Sequence, residues 1–258
     1  MGVVYRHSER NSNIEGKVLV IPIVSTANVS QLTADLLITS LSLKYVATLD
    51  PGYFIPIAGG RDDGEPGITT PFELYTQDNI NLAVIQQRSP VLKSRKQEFV
   101  DAMLNFIKST GVSAVLFLSG VDVSNRTDSQ MITPTYQIQT GLSLTSSPLQ
   151  RLNSLPIPTY TSPVSQHPQT GDGAARIPFI PGGGLTRRIL SEVPQEWTIP
   201  TAALLQFVFE GDNRADAHLL ASVVSKVLDL DSAISEWRHP RSWEQGLFGT
   251  PPEQTLYG

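Results

Sequence analysis

Residues 17–41, which read KVLVIPIVSTANVSQLTADLLITSL, decide the fold. Lys17 to Val24 form a short apolar run rich in β-branched residues, typical of a strand buried on both faces. Asn28 suits the N-cap of a following helix, whose apolar positions recur at helical spacing: Val29, Leu32, Leu36, Leu37 and Leu41. The stretch therefore predicts the opening half of a βαβ unit.

The same pattern returns further along the chain. A helix over about Arg95–Ser109 precedes an apolar strand at Ala114–Ser119, which predicts a crossover and a parallel strand pair. An α/β protein is expected from this repetition. Shorter predicted strands are Tyr45–Ala47, Tyr53–Ile57, Phe72–Thr76, Asn81–Gln87 and Thr133–Ile138.

The second half of the chain changes in composition. Ser, Thr, Pro, Gln and Gly dominate residues 121–176, and a long, mobile surface loop is expected over about 145–175. Beyond it, the sequence IPFIPGGGLTRRIL predicts a strand, a glycine loop and a helix. Helices are then predicted over about Pro200–Glu210 and Arg214–Leu230.

These patterns divide the chain into a flexible N-terminus at 1–16, a single α/β domain at 17–250 and an extended C-terminal tail at 251–258. Forty per cent of the 258 residues are hydrophobic, which is enough for a sizeable core. A net charge of −5 argues against extended contact with nucleic acid, and the absence of cysteine excludes disulfides, thiolate metal sites and cysteine nucleophiles.

Targeting signals are not recognised in the sequence. The polar N-terminus lacks an apolar signal region, Arg6 and His7 make a poor context for myristoylation of Gly2, and no apolar run has the length of a membrane span. The expectation is a cytoplasmic protein without membrane partners, with the nucleus as an additional compartment.

The most conspicuous motif is Gly182-Gly183-Gly184 at the predicted start of a helix, followed by Arg187 and Arg188. Glycine amides at a helix N-terminus can cradle a phosphate. The motif matches neither a Walker A loop nor GxGxxG, and a tight strand-to-helix turn is the favoured explanation. A small-molecule or phosphate-binding enzyme therefore stands as the alternative function.

Other candidate sites have similar competing explanations. The Ser-Thr-Ala-Asn loop before the first helix is a second candidate anion site or an ordinary capped turn. Glu210, Asp212 and Asp216 could hold a metal or cap a helix. No clustered acid, base and nucleophile is recognised, so no catalytic residue, metal or cofactor is expected. The WRHPRSW stretch with Trp237 and Trp243 fits docking onto the core or a partner surface.

The chain ends in Leu256-Tyr257-Gly258 after Pro251 and Pro252. The prolines favour an extended arm, and an arm with an apolar residue, a tyrosine and a carboxylate suits insertion into a pocket of another protein. A disordered end is the competing explanation.

Four segments, in this order, carry a resemblance to a known family: VIPIVSTANVSQLTADLLITSL, IPGGGLTRRIL, LLQFVFEGDNRADAHLL and SWEQGLFG. Together they resemble the proteasome assembly chaperone family, from about Val18 to the C-terminus. Residues 121–176 depart from the family in length and composition.

The resemblance implies a three-layer α/β sandwich, with a mixed or mostly parallel central sheet, flanking helices, a helical C-terminal part and an extended tail. It implies a non-enzymatic chaperone without cofactors, which forms a heterodimer with proteasome assembly chaperone 1. The pair would bind α-subunits of the 20S core particle precursor and promote assembly of the α-ring. A hydrophobic-Tyr-any tail in this family enters an α-ring pocket, and the matching positions are Leu256, Tyr257 and Gly258.

Overall fold

The computed structural model describes residues 2–6, 13–140, 142–163 and 177–245. Within these residues the strands are β1 Val3–Arg6, β2 Val18–Pro22, β3 Lys44–Leu49, β4 Gly59–Gly60, β5 Ile68–Thr69, β6 Phe72–Thr76, β7 Leu82–Gln87, β8 Ala114–Asp122, β9 Thr135–Gln139 and β10 Thr201–Val208. The α-helices are α1 Val29–Ser40, α2 Lys96–Thr110, α3 Gly184–Ser191 and α4 Arg214–Leu228.

Eight of these strands form one mixed sheet in the order β1-β3-β6-β7-β2-β8-β10-β9. The pairs β7–β2, β2–β8 and β8–β10 are parallel, and the remaining pairs are antiparallel. Strands β4 and β5 make a separate small hairpin. The parallel centre has helices on both sides, as crossover connections require. The predicted α/β sandwich with a mixed sheet is confirmed.

Two apolar layers hold the helices on the sheet. Helices α2 and α3 cover one face, where Phe99 and Ile189 pack with Ile21 and Phe117 of the parallel strands. Helices α1 and α4 cover the other face, where buried residues of α1, α4 and the sheet form a second cluster. Alternate residues of β2 and β8 therefore serve opposite cores, as the pleat of a strand dictates.

The predicted helix is α1, and it is buried around most of its circumference rather than only along its apolar positions. Ser30, Thr33 and Asp35 are buried along with the leucines. The reason is that α4 packs against α1 on the same face of the sheet, and together with Val208 and Trp243 the two helices form a third apolar cluster. Asn28 occupies the N-cap position, but its side chain makes no capping bond to the helix backbone.

The helix predicted over Pro200–Glu210 is instead the inner strand β10, which lies next to the edge strand β9. Its sequence, TAALLQFV, is dominated by residues with good helix propensity. All eight residues are buried between the two helical layers, so neither face is polar and the period of two is absent. Pairing with β8 on one side and β9 on the other overrides the local preference.

Two other predicted strands are absent. Instead of a strand at Tyr53–Ile57 there is a turn at Pro51–Tyr53. In this turn Asp50 Oδ1 accepts a hydrogen bond from the Gly52 amide nitrogen at 2.9 Å. Residues 177–180 run without strand pairing because Pro178 and Pro181 lack the amide donors that a ladder needs. Val3–Arg6, which lie within the N-terminus predicted to be flexible, pair with β3 at the sheet edge.

Residues 145–163, which belong to the expected mobile loop, pack against the folded domain and include the 3-10 helix Gln150–Asn153. Leu149 and Leu152 are buried in the cluster beneath α4. Arg151 pairs with Asp229 at 2.8 Å, just beyond α4. Widely spaced apolar anchors hold the segment, and they carry no periodic signal in the sequence. The rest of the expected loop, residues 164–175, lies outside the described residues.

The described chain closes with a short 3-10 helix, Arg241–Gln245. The tail predicted at 251–258, including Leu256, Tyr257 and Gly258, lies outside the described residues. None of the helices in the described ranges is long and apolar enough to cross a membrane.

Candidate functional site

The carboxyl ends of the parallel strands β2, β8 and β10 meet at one edge of the sheet. In open α/β sheets this edge is where ligands and partners are commonly bound, because several loops converge there. The segments that converge here are residues 23–28, 123–125 and 209–213, which follow β2, β8 and β10, together with the glycine turn at 181–184. We call the surface formed by these loops the carboxyl edge.

The loop between β2 and α1 is folded tightly against its neighbours. The amide of Gly120 donates to Ser25 Oγ at 2.7 Å, and a Cβ on Gly120 would lie 2.4 Å from the carbonyl oxygen of Thr26. Ala27 and Asn28 adopt left-handed backbone conformations, with φ of 57° and 54°. Such values are uncommon for non-glycine residues, and the surrounding packing enforces them.

The same loop is a candidate anion site, and two of its amides, those of Ala27 and Asn28, already have acceptors within the protein. The Ala27 amide donates to Glu210 Oε1 at 3.2 Å, and the Asn28 amide donates to the carbonyl of Ser25 at 3.3 Å. The protein's own carboxylate therefore takes the place of an external anion. This contact also ties the end of β10 to the start of α1.

The glycine turn has a backbone explanation. Gly182 has φ of +71°, and the Gly183 amide donates to the carbonyl of Ile180 at 3.1 Å. A Cβ on Gly183 would lie 2.4 Å from Ile180 Cγ2, whereas Gly184, the first residue of α3, has open space around it. A tight turn thus accounts for Gly182 and Gly183 without a ligand.

The two arginines after the turn contact other parts of the protein. Arg188 Nη1 donates to Gln97 Oε1 on α2 at 3.3 Å, and the Arg187 guanidinium lies 5.9 Å from the ring centroid of Phe179. Thr186 Oγ1 donates to Ser119 Oγ at 3.0 Å and fastens α3 to β8. The geometry does not assemble a phosphate cradle from the predicted residues.

The acidic residues of EGDNRAD serve the local fold. The Asp212 carboxylate accepts from the Arg214 amide at 3.1 Å and pairs with its guanidinium, and this bonding lowers the pKa of Asp212. Asn213, rather than Asp212, holds the N-cap position of α4. Burial raises the pKa of Asp216. Among the described residues, no group of three or more His, Cys, Asp and Glu side chains could hold a metal.

Two histidines that are remote in sequence come together near the C-terminal end of the described chain. His218 of α4 and His239 meet through their Nε2 atoms at 2.6 Å, with Trp237 edge-on to His218. Burial lowers the pKa of His218, and the neighbouring His239 lowers it further. Trp243 is 4% exposed, so this part of WRHPRSW docks onto the core, which is one of the two expected roles.

Three exposed apolar side chains were not anticipated from the sequence. Met131, Ile132 and Phe209 have 60%, 89% and 73% of their surface exposed. The exposure of Phe209 was missed because residues 200–210 were assigned to a helix, which hid its position just beyond the end of a strand.

Comparison with known proteins gives a consistent result. The sequence model of the PAC2 family matches residues 19–238. A protein named proteasome assembly chaperone 2 from Danio rerio is 31% identical over 251 residues, which cover 93% of this chain and 95% of that relative.

Solved structures share the fold at low sequence identity. PbaA of Pyrococcus furiosus, described as an archaeal homolog of proteasome-assembly chaperone, aligns with a TM-score of 0.57 and 16% identity, covering 87% of this chain and 88% of PbaA. PbaB of the same organism, described as an archaeal proteasome activator, aligns with a TM-score of 0.58 and 17% identity, covering 86% and 87% of the two chains.

Proposed function

Because the chain belongs to the PAC2 family, which its match over residues 19–238 establishes, we propose that it is a non-catalytic chaperone of proteasome assembly. The observation that carries this proposal is the 31% identity to proteasome assembly chaperone 2 across 93% of the chain. Such similarity over nearly the whole length supports a shared role as well as a shared fold. No catalytic step or cofactor is part of the proposal.

The chain acts as a heterodimer with proteasome assembly chaperone 1, and the pair binds α-subunits of the 20S core particle precursor as the α-ring forms. The family resemblance is what supports this finer statement. A stable heterodimer calls for a broad and largely apolar interface, so the pairing surface must lie on the folded domain. We propose the cytoplasm as the compartment in which the heterodimer acts, with the nucleus as an additional compartment.

The C-terminal residues Leu256, Tyr257 and Gly258 insert into a pocket of the α-ring. The hydrophobic-Tyr-any pattern and the preceding Pro251 and Pro252 support this role. A pocket that takes three residues supplies little area, so one tail binds weakly by itself. Coupling the tail to a second contact on the same particle raises its effective concentration and hence the overall affinity.

The test is capture of α-subunits by the chain co-expressed with proteasome assembly chaperone 1. The full-length chain is compared with a chain that ends at Thr255, and Gln254→Ala serves as a matched control in the same tail. We expect full-length and Q254A chains to retain α-subunits and the shortened chain to lose most of them.

Two results would contradict parts of this proposal. Equal capture by the shortened chain would remove the tail mechanism and leave ring recognition to the folded domain. Failure of the full-length heterodimer to capture any α-subunit would overturn the chaperone function itself.

A further inference from the structure

Two histidines from separate elements direct their ring nitrogens at the same point. His218 lies on α4, and His239 lies in the segment that follows the helix, residues 237–243, which we call the C-terminal strap. The two Nε2 atoms are 2.6 Å apart, and the ring planes are inclined at 66°. Because Nε2 is one of the two imidazole atoms that bind metals in proteins, the pair has the arrangement of a two-histidine chelate.

The backbone on both sides of His239 is anchored to other elements. The Arg238 amide donates to Ser40 Oγ, at the end of α1, at 2.9 Å. The Ser242 amide donates to Asp62 Oδ1 at 3.0 Å. The fold therefore holds the His239 ring against α4 before any ligand arrives, and this preorganisation reduces the entropy that binding costs.

The nitrogen ligands select the class of cation. Imidazole suits Zn²⁺, Cu²⁺ and Ni²⁺, whereas Mg²⁺ and Ca²⁺ prefer oxygen ligands. Within the described part of the chain, no third His, Cys, Asp or Glu side chain joins the pair to form a larger metal-binding group. His239 is exposed, so water can reach the ion and fill the remaining coordination positions.

A metal ion fits between the rings after a small movement. Zn–N bonds of about 2.0–2.1 Å in tetrahedral geometry place two ligand nitrogens about 3.3 Å apart. The Nε2 atoms are closer than that, at 2.6 Å, so the rings must separate by less than an ångström. The exposed His239 ring can make this movement by rotating about its side-chain bonds. Without metal, the two rings share a hydrogen bond instead.

We propose that His218 and His239 bind one Zn²⁺, Cu²⁺ or Ni²⁺ ion through their Nε2 atoms, with water as the remaining ligand, and that the ion fastens the C-terminal strap to α4. This inference is independent of the proposed function. The strap leads directly into the last residues of the chain, so the ion also fixes the point from which those residues continue.

Tryptophan fluorescence of the untagged, full-length chain can report binding, because two indoles flank the pair. The ring centroids of Trp237 and His218 are 6.0 Å apart, and those of Trp243 and His239 are 5.2 Å apart. Trp197 packs in the apolar cluster on the other face of the sheet. Cu²⁺ quenches neighbouring indoles, so we expect partial, saturable quenching that EDTA reverses.

His218→Gln and His239→Gln each remove one ligand and keep a polar side chain of similar size. Each should weaken Cu²⁺ binding by about tenfold or more, since even loss of a hydrogen-bond partner of a metal ligand costs about 10–100-fold in affinity. His167→Gln is the matched control, because it removes a histidine that lies outside α4 and the strap, and it should bind as the wild type does. Melting curves of the metal-free variants show whether each is folded.

Zn²⁺ provides a second and a third measurement. An ion that binds the folded protein stabilises it, so saturating Zn²⁺ should raise the melting temperature of the wild type by about 3 °C or more. Mg²⁺ and Ca²⁺ at the same concentration should leave it unchanged. Hydrogen exchange of the strap amides should slow by about tenfold or more when Zn²⁺ is bound, because local opening then requires release of the ion.

Four results would overturn the inference. The wild type could show neither quenching nor a thermal shift, which would exclude a metal site. Wild-type quenching in folded H218Q and H239Q chains would place the metal elsewhere. Loss of binding in only one of these variants would show a single-imidazole contact instead of a shared ion. Binding that leaves exchange in the strap unchanged would refute the fastening of the strap to α4.

Discussion

His218 and His239 meet through Nε2 atoms 2.6 Å apart, although 21 residues separate them in the chain. A hydrogen bond between two imidazole nitrogens needs one donor and one acceptor, so at least one ring must be neutral. The contact joins α4 to the segment that carries Trp243, and it therefore couples the docking of the C-terminal segment to the protonation state of the pair.

The histidine pair predicts a loss of stability in mild acid. Burial and the neighbouring His239 lower the pKa of folded His218 below its unfolded value of about 6.5. Because the folded protein binds a proton less readily than the unfolded chain, the stabilisation is complete above that value and is lost as pH falls below it. The melting temperature of the wild type, followed from about pH 7.5 to about pH 5.5, should therefore fall.

Replacing His218 isolates this effect from the titration of other groups. His218→Gln removes the proton-binding site, so its melting temperature should depend less on pH than that of the wild type. His167→Gln removes a histidine elsewhere in the chain and should follow the wild type. Identical pH profiles for H218Q and the wild type would show that the pair does not control stability.

A partly buried ion pair between α1 and the sheet predicts a second effect. Asp35 Oδ1 accepts from Arg88 Nη2 at 2.9 Å and from Gln86 Nε2 at 2.7 Å. Asp35→Ala leaves a partly buried guanidinium and an amide without their acceptor, so the free energy of unfolding should fall by about 3 kcal/mol. Urea denaturation measures the change.

The exposed pair of Arg95 and Glu98 is the control for Asp35. These side chains lie 2.8 Å apart but are 35% and 60% exposed. Solvent screens such a pair, so Glu98→Ala should change the free energy of unfolding by no more than about 1 kcal/mol. Similar costs for D35A and E98A would contradict the importance given to burial here.

The glycine turn offers two adjacent substitutions with opposite expectations. Gly183→Ala would place a Cβ against Ile180, so we expect a loss of about 1–3 kcal/mol in the free energy of unfolding. Gly184→Ala meets no neighbour at the start of α3 and should be neutral or stabilising, by up to about 1 kcal/mol. Thermal or urea unfolding of the two variants decides the matter, and equal stability would refute the steric explanation.

The elements predicted correctly are those with a strong local signal. Strand β2 and helix α1 follow from the apolar run and the helical spacing in residues 17–41, and β8 follows from the apolar run AVLFLS. Strand β10 could not be recognised, because alanine and leucine favour a helix and burial of both faces removes any polar alternation. Its identity depends on strands β8 and β9, which the local sequence does not specify.

The candidate site was predictable only in part. The sequence located the glycine turn and the loop before α1, and the structure brings both to the carboxyl edge. The occupation of the Ala27 amide by Glu210 could not be foreseen, since 183 residues separate them. The exposure of Phe209 was also out of reach, because it depends on how β10 ends and how residues 131–134 lie beside it.

The hydrogen bonds that the carboxyl-edge amides already make predict that phosphate does not bind there. Measuring phosphate binding therefore distinguishes a chaperone from a phosphate-binding enzyme. Glu210 accepts from the Ala27 amide, the Ser25 carbonyl accepts from the Asn28 amide, and the Ile180 carbonyl accepts from the Gly183 amide. Inorganic phosphate at about 10 mM should therefore leave the melting temperature where chloride of equal ionic strength leaves it. A ligand present at 100 times its dissociation constant would instead add about 2.7 kcal/mol to the free energy of unfolding.

Glu210→Gln is the informative variant, because it removes the charge that repels phosphate while keeping an acceptor for the Ala27 amide. A saturable rise in melting temperature with phosphate in the wild type would contradict this prediction and revive the ligand-binding alternative for Gly182–Gly184.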